Sequence, residues 1–184
     1  ETPVQLAISR LGDASPPPAL ADEVLAAQLK AMGWTIVKLT TLHRTIRPDL
    51  LDTPNVLITS GSGDLGGENT TPDNLYMLGM FALEPGQSLE LEFRPPETRY
   101  WSVTLENIWH ECLEPLVRLS SVTNKGVGPD ADGVVRLVIA GEDPGRGHWL
   151  DTGGRPRGFI VVRWLDNPNA PDVTLRLTEK ETVR

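Results

Sequence analysis

Cysteine is almost missing from this chain. Cys112 stands alone among 184 residues, so no disulfide closes within one chain and no two-cysteine zinc site can be assembled. The fold must stand without covalent staples. Positive charge is also short, with 17 Lys and Arg against 25 Asp and Glu and a formal charge of -8. That balance repels phosphate backbones and anionic lipid, and nucleic acid is excluded as an expected partner. Long apolar runs are absent too: no stretch approaches the roughly 20 residues that a membrane helix needs, so no membrane span is expected. The first residues lack the basic-then-apolar pattern of a secretion signal, which favours a cytoplasmic location. The chain opens at Glu1 rather than methionine, as a trimmed precursor or a part of something longer would.

What is present is a globular composition, 39% hydrophobic and 23% charged, over about one domain's length. At that size roughly 70% of the unfolded chain's surface should be buried. Tyr100, Ser102, Thr104 and Glu106 fall on one face of an extended stretch and Trp101, Val103 and Leu105 on the other, the period-two pattern of a half-buried strand. Leu89, Leu91 and Phe93 alternate in the same way with Ser88, Glu90, Glu92 and Arg94. Further strands are expected at Met77 to Leu83, Val117 to Val122, Gly133 to Ala140, Gly158 to Leu165 and Val173 to Thr178, separated by Pro-Gly, Pro-Pro, Gly-Pro-Asp and Asn-Pro-Asn turns. Val56 to Thr59 adds a short extended piece. The expected fold is mainly β with an N-terminal α-helix: an antiparallel, jelly-roll-like β-sandwich. Its core should hold Leu89, Leu91, Phe93, Trp101, Val103, Leu105, Ile160, Val162 and Trp164.

Ahead of the strands, Ser15-Pro16-Pro17-Pro18 is a rigid break, and Asp22 and Glu23 follow where a helix N-terminus favours negative charge. Leu25, Leu29, Met32, Ile36, Leu39, His43 and Ile46 then recur at spacings of three and four, which predicts a helix over 19–46 with one apolar stripe. Gly33 and the β-branched residues around it favour a break as the alternative. The expected organisation is an N-terminal extension and helix over 1–50 and a sandwich over 51–184, packed as one unit. The stripe would face the sandwich, a partner domain or a second copy in a homo-oligomer. Gly61-Ser62-Gly63-Asp64-Leu65-Gly66-Gly67 is glycine-rich but has no Lys-Ser/Thr behind it, and reads as a loop rather than a phosphate cradle.

Gly66-Gly67-Glu68-Asn69-Thr70-Thr71-Pro72-Asp73-Asn74-Leu75-Tyr76, then Tyr100-Trp101-Ser102-Val103-Thr104-Leu105, Asp132-Gly133, Trp149-Leu150-Asp151 and Arg163-Trp164 occur in an order that resembles a bacterial family, domain of unknown function family 1214. That domain is often the C-terminal half of proteins whose N-terminal half is domain of unknown function family 1254. The resemblance spans roughly residues 66 to 168 and implies a jelly-roll-like sandwich. The family's chemistry is not established, so it implies no catalytic residue. Glu106-Asn107 stands where Tyr-Asp is common in the family, and His148 and Asp151 flank Trp149-Leu150 where Asn and Pro are common.

Chemistry-bearing residues gather in a few places. Imidazole beside carboxylate is a workable acid-base pair, which makes His148, Asp151 and Glu111 candidate catalytic groups, with Arg155 in the same loop as His148. His110 and Cys112 with His148 have the donor types of a zinc site, but with only three histidines in the chain, and with Cys112 readable as a small core residue, no metal or cofactor is expected. Trp109, His110 and Trp149 offer apolar walls for a small-molecule or carbohydrate-like ligand. Asp73 and Asn74 either cap turns or face such a ligand, with Tyr76 as a platform. Ser102 lies within a strand and lacks the strained elbow of a hydrolase nucleophile. The leading expectation is a binding or scaffold module in a larger protein or assembly; the rival is an enzyme using His148 with Asp151 or Glu111. A ligand or catalytic site, if present, should lie where the loop after the Trp101 strand meets the His148 loop, whereas a scaffold would meet its partner through the N-terminal helix.

Overall fold

A computed structural model describes residues 7–9, 12, 19–40, 49–60, 74–166 and 171–179. The chain divides into two compact units, residues 1–38 and 39–184. The first contains most of helix α1 (Asp22–Thr40), which has Asp22 and Glu23 in its first turn and runs through Gly33 without a break. The Thr35 hydroxyl donates to the Ala31 carbonyl at 2.9 Å, so this β-branched residue is accommodated by bonding back into the preceding turn. The proline break and the expected continuation through His43 to Ile46 lie outside the described residues. No described helix is long and apolar enough to cross a membrane.

The second unit opens with the short helix α2 (Asp49–Asp52) and continues as β1 (Leu57–Ser60), β2 (Asn74–Ala82), β3 (Gln87–Phe93), β4 (Tyr100–Glu106), β5 (Ser121–Thr123), β6 (Val135–Ala140), β7 (His148–Asp151), β8 (Arg157–Leu165) and β9 (Val173–Glu179). A five-stranded sheet has the order β1-β2-β8-β4-β5 and a four-stranded sheet the order β7-β6-β3-β9. All neighbours are antiparallel except β7, which runs parallel to β6 and places Leu137 beside His148 and Ile139 beside Leu150. The expected all-antiparallel arrangement fails at this one strand. Gly145 and Gly147, at φ 66° and 65°, let the chain double back into that parallel register.

The expected strand at Val117 to Val122 shrinks to β5. Glu114 adopts φ 41°, and its carbonyl accepts from the N–H groups of Val117 and Arg118 at 2.9 and 3.0 Å, turning the chain before it can pair.

Alternation places the two sheets. Leu75, Met77 and Phe81 of β2, Trp101, Val103 and Leu105 of β4, and Ile160, Val162 and Trp164 of β8 meet Leu89, Leu91 and Phe93 of β3 and Val135, Leu137 and Ile139 of β6 in one core. Every residue expected in the core is there, none more than 3% exposed. The Phe93 ring lies edge-on to Trp101 and Trp164 at centroid distances of 5.1 and 6.0 Å, joining the sheets through aromatic contacts across their interface. Leu50, Met80 and Phe159 form a smaller cluster on the outer face of the larger sheet, with Ile58 and Leu78 packed against it.

Two backbone positions hold this sheet in place. A Cβ on Gly158 would sit 2.6 Å from the Phe81 ring, so only glycine lets β8 pass. Asn55, at φ 63°, donates from its backbone N–H to the Met80 carbonyl at 2.7 Å, while its carboxamide bonds both backbone groups of Ala82 at 2.8 and 2.9 Å. Asparagine tolerates that left-handed geometry better than most residues.

Trp101→Ala should lower the unfolding free energy by about 3–5 kcal/mol in a urea titration, as other large aromatic deletions do. A loss below about 1 kcal/mol would place the indole outside the core.

Candidate functional site

The loop after β4 does meet the turn after β7, as the sequence leads one to expect. The Asp151 N–H donates to the Leu119 carbonyl at 2.9 Å. Arg118 Nη1 donates to Asp151 Oδ2 at 2.8 Å and its Nε to the Glu114 carboxylate; Arg155 Nη2 reaches the other Glu114 oxygen at 3.0 Å. Gly153 closes the turn, its N–H donating to Asp151 Oδ1 at 2.6 Å. A Cβ there would meet Arg155 Nη1 at 2.6 Å and Arg118 Nε at 3.1 Å, so the glycine is what lets both guanidinium groups converge. Arg118, and after it Arg155, holds the Glu114 carboxyl below its ordinary range.

The groups at this junction differ from those expected. His148 and Asp151 lie three residues apart on one strand and therefore point to opposite faces. His148 is exposed at the start of β7, whereas Asp151 is buried and bonded to Arg118 and Gly153. Trp149 is half-buried and donates from Nε1 to the Ala140 carbonyl at 3.0 Å. Glu111 accepts from Asn107 Nδ2 at 2.7 Å, and Asn107 Oδ1 accepts from the N–H groups of Trp109 and Glu111, a compact turn that turns Trp109 outward. His110, at φ 61°, folds back instead: Nδ1 lies 2.9 Å from Glu106 Oε2 and the ring stacks on Phe159 at 4.2 Å. This Glu106–His110 pair is the carboxylate–imidazole contact of the chain's described residues, but its Nε2 is buried without a hydrogen-bond partner. Cys112 is exposed, and the neighbouring Leu113 takes the core position. Among the described residues no three His, Cys, Asp or Glu side chains converge on a metal position.

Asn74 and Tyr76 lie on the outer face of the larger sheet, remote in register from this junction; Asp73 lies outside the described residues, as does the glycine-rich loop. Tyr76 stands directly opposite Arg163 of β8, whose guanidinium carbon lies 5.5 Å from the ring centroid. Arg163 is read in the sequence only as part of the Arg163-Trp164 motif, although an arginine between Val162 and Trp164, on the wet face of a largely apolar strand, is a readable signal.

A cleft of about 900 Å³ lies against the outer face of the smaller sheet, floored by Ser88, Glu90 and Thr178 and flanked by Arg146, Arg155 and Arg176. Arg146 and then Arg176 draw the Glu90 carboxyl below its ordinary range, and Ser88 and Thr178 bond to each other at 2.9 Å. The cleft's polar groups are thus largely satisfied by one another. By contrast, the loop between β4 and β5 leaves Ile108, Trp109, Leu116, Val117 and Leu119 between 48% and 97% exposed.

Fold and site together define a mainly-β, two-sheet domain with a pinned, apolar loop at one junction. No family model matches the chain, and no curated protein matches it. Solved structures do. An uncharacterised protein from Burkholderia cenocepacia superposes with a TM-score of 0.78 at 24% identity, over 91% of this chain and 46% of that one. A protein from Vibrio parahaemolyticus matches with a TM-score of 0.46 at 16% identity, over 62% of this chain and 33% of that one. The first likeness shows the fold, and the chain spans less than half the length of that protein.

Because the Glu114 pKa is depressed, its ion pairs contribute fully above the ordinary glutamate range and are lost as pH falls through the lowered value. Arg118→Gln should move the Glu114 midpoint upward in a carboxyl NMR titration. An unmoved midpoint would mean that Arg118 is not the main stabilising partner.

Proposed function

We propose that this domain is a binding and scaffold module that assembles with a second copy of itself through the loop between β4 and β5. The observation that carries the reading is the set of large apolar side chains, Ile108, Trp109, Leu116, Val117 and Leu119, exposed on one loop whose backbone is held by Asn107, Glu114 and Asp151. A surface that is apolar and already ordered loses little conformational freedom when it docks. The charges at the rim, Glu114 with Arg118 and Arg155, are paired within the chain and so set no like-charge repulsion against a two-fold contact between identical surfaces. A formal charge of -8 disfavours anionic membrane as the occupant. The Burkholderia protein carries the same fold within a chain about twice as long, which fits a module used in larger arrangements.

The same reading takes the fold as jelly-roll-like and the chain as a member of domain of unknown function family 1214. In support, the Tyr100 to Leu105 stretch forms β4, Trp164 stands opposite Trp101, and the Trp149-Leu150 motif sends Leu150 into the core. The enzyme reading has less support, since His148, Asp151 and Glu111 each have separate surroundings.

Sedimentation of the full chain should show a mass above that of one chain, rising with concentration. Leu116→Ser with Val117→Asp should return it to a monomer whose melting temperature no longer depends on protein concentration and matches that of the dilute wild type. Leu29→Asp, on the α1 stripe, should leave the assembly intact. A chain that stays monomeric at about 100 μM, well above micromolar affinities, would overturn the proposal.

A further inference from the structure

We infer that the outer face of the larger sheet holds a binding site for a small organic carboxylate, anchored by Arg163. In register, Arg163 lies between Tyr76 of β2 and Ser102 of β4, and all three point away from the core that receives Val162, Trp164, Met77 and Trp101. Arg163 is half-buried, and its Nε is buried without a hydrogen-bond partner. Arg99, Arg118, Arg136, Arg146, Arg155 and Arg176 each meet a carboxylate; among the described residues none meets Arg163. In a chain with more acids than bases, a half-buried guanidinium that meets, among the described residues, a tyrosine face and no carboxylate is an open valence.

Asn74 supplies the independent second observation. It is 5% exposed, lies two residues from Tyr76 on the same face, and its carboxamide Oδ1 is buried without a partner. Diagonal neighbours across a strand pair lie about 7–8 Å apart at the backbone, within reach of an arginine. The carboxamide offers a donor as readily as an acceptor, since its two ends exchange by a half-turn. Ser102, 7% exposed, adds a hydroxyl on the opposite strand.

The chemistry selects the ligand class. A guanidinium is a planar fork of donors that matches a carboxylate bidentately, and with Nε buried and one face on Tyr76 it is the terminal Nη groups that are offered. One cation balances a monoanion, whereas a phosphate dianion would leave excess negative charge on an already acidic chain. Tyr100 and Leu165 form the next register pair on the same face and present a partly exposed apolar surface for the body of the acid.

The probe is sodium benzoate, with benzamide and inorganic phosphate as controls at constant ionic strength, read by thermal shift and calorimetry on the full chain. Benzoate should raise the melting temperature in a concentration-dependent way, while benzamide and phosphate should not. Arg163→Gln should lose the shift. Asn74→Asp, which places an internal carboxylate beside the guanidinium, should raise the melting temperature of the free protein and abolish the benzoate response. The inference is overturned if wild type gives no shift, if phosphate or benzamide acts as well as benzoate, or if either variant keeps the wild-type response. Should Arg163→Gln fail to fold, Asn74→Asp decides alone.

Discussion

Phe93 crosses from one sheet to meet the edges of Trp101 and Trp164 in the other, and the remaining architecture is arranged around that contact. An edge-to-face pair requires each ring to hold its angle, so β3, β4 and β8 cannot slide past one another without breaking it. Strand alternation follows: once Trp164 points inward, Arg163 must point outward, and once Trp101 is buried, Ser102 faces the opposite side. In a chain without an internal disulfide, this aromatic lock and the apolar rows beside it carry the persistence that small domains otherwise draw from covalent bridges.

The loops are held by a different physics. Asn107 folds its turn through its own carboxamide, and Glu114 and Asp151 bind the long β4–β5 loop to the turn after β7 through Arg118 and Arg155. These contacts use short polar side chains on backbone groups and ion pairs at the surface, so they order the loop without burying its apolar members. Exposure of Leu116 and Val117 is therefore a property of a fixed surface, consistent with the dense bonding at both ends of the loop.

Much of the sandwich was legible because its strands are long enough to display period-two alternation, as in Leu89 to Phe93 and Tyr100 to Glu106. β7 was not: four residues, His148 to Asp151, are too few to establish a period, and its parallel partner is chosen by the return of the chain through Gly145 and Gly147. Val117, Leu119 and the closing Val122 made the stretch read as a strand, yet the left-handed residue at Glu114 turns the chain away from pairing. The expected meeting of two loops was correct in position, but the side chains that meet are Glu114, Arg118, Asp151 and Arg155. Proximity along the chain made His148 and Asp151 look like partners, whereas three steps along a strand separate them to opposite faces. Glu106 and His110 became partners through a turn at positive φ, which no local periodicity announces.

Asn55 fixes the point at which the chain ahead of the strands joins the larger sheet. Tension applied to the chain ahead of α2 passes through Asn55 before it reaches the β1–β2 ladder. Its three hydrogen bonds to Met80 and Ala82 act as a clasp in series with that ladder. Until the clasp parts, the load is shared along β2, a strand held on its other side by β8, and β1 is not peeled residue by residue. A carboxamide at one left-handed position thus ties the chain ahead of β1 directly to β2, the strand that carries Tyr76.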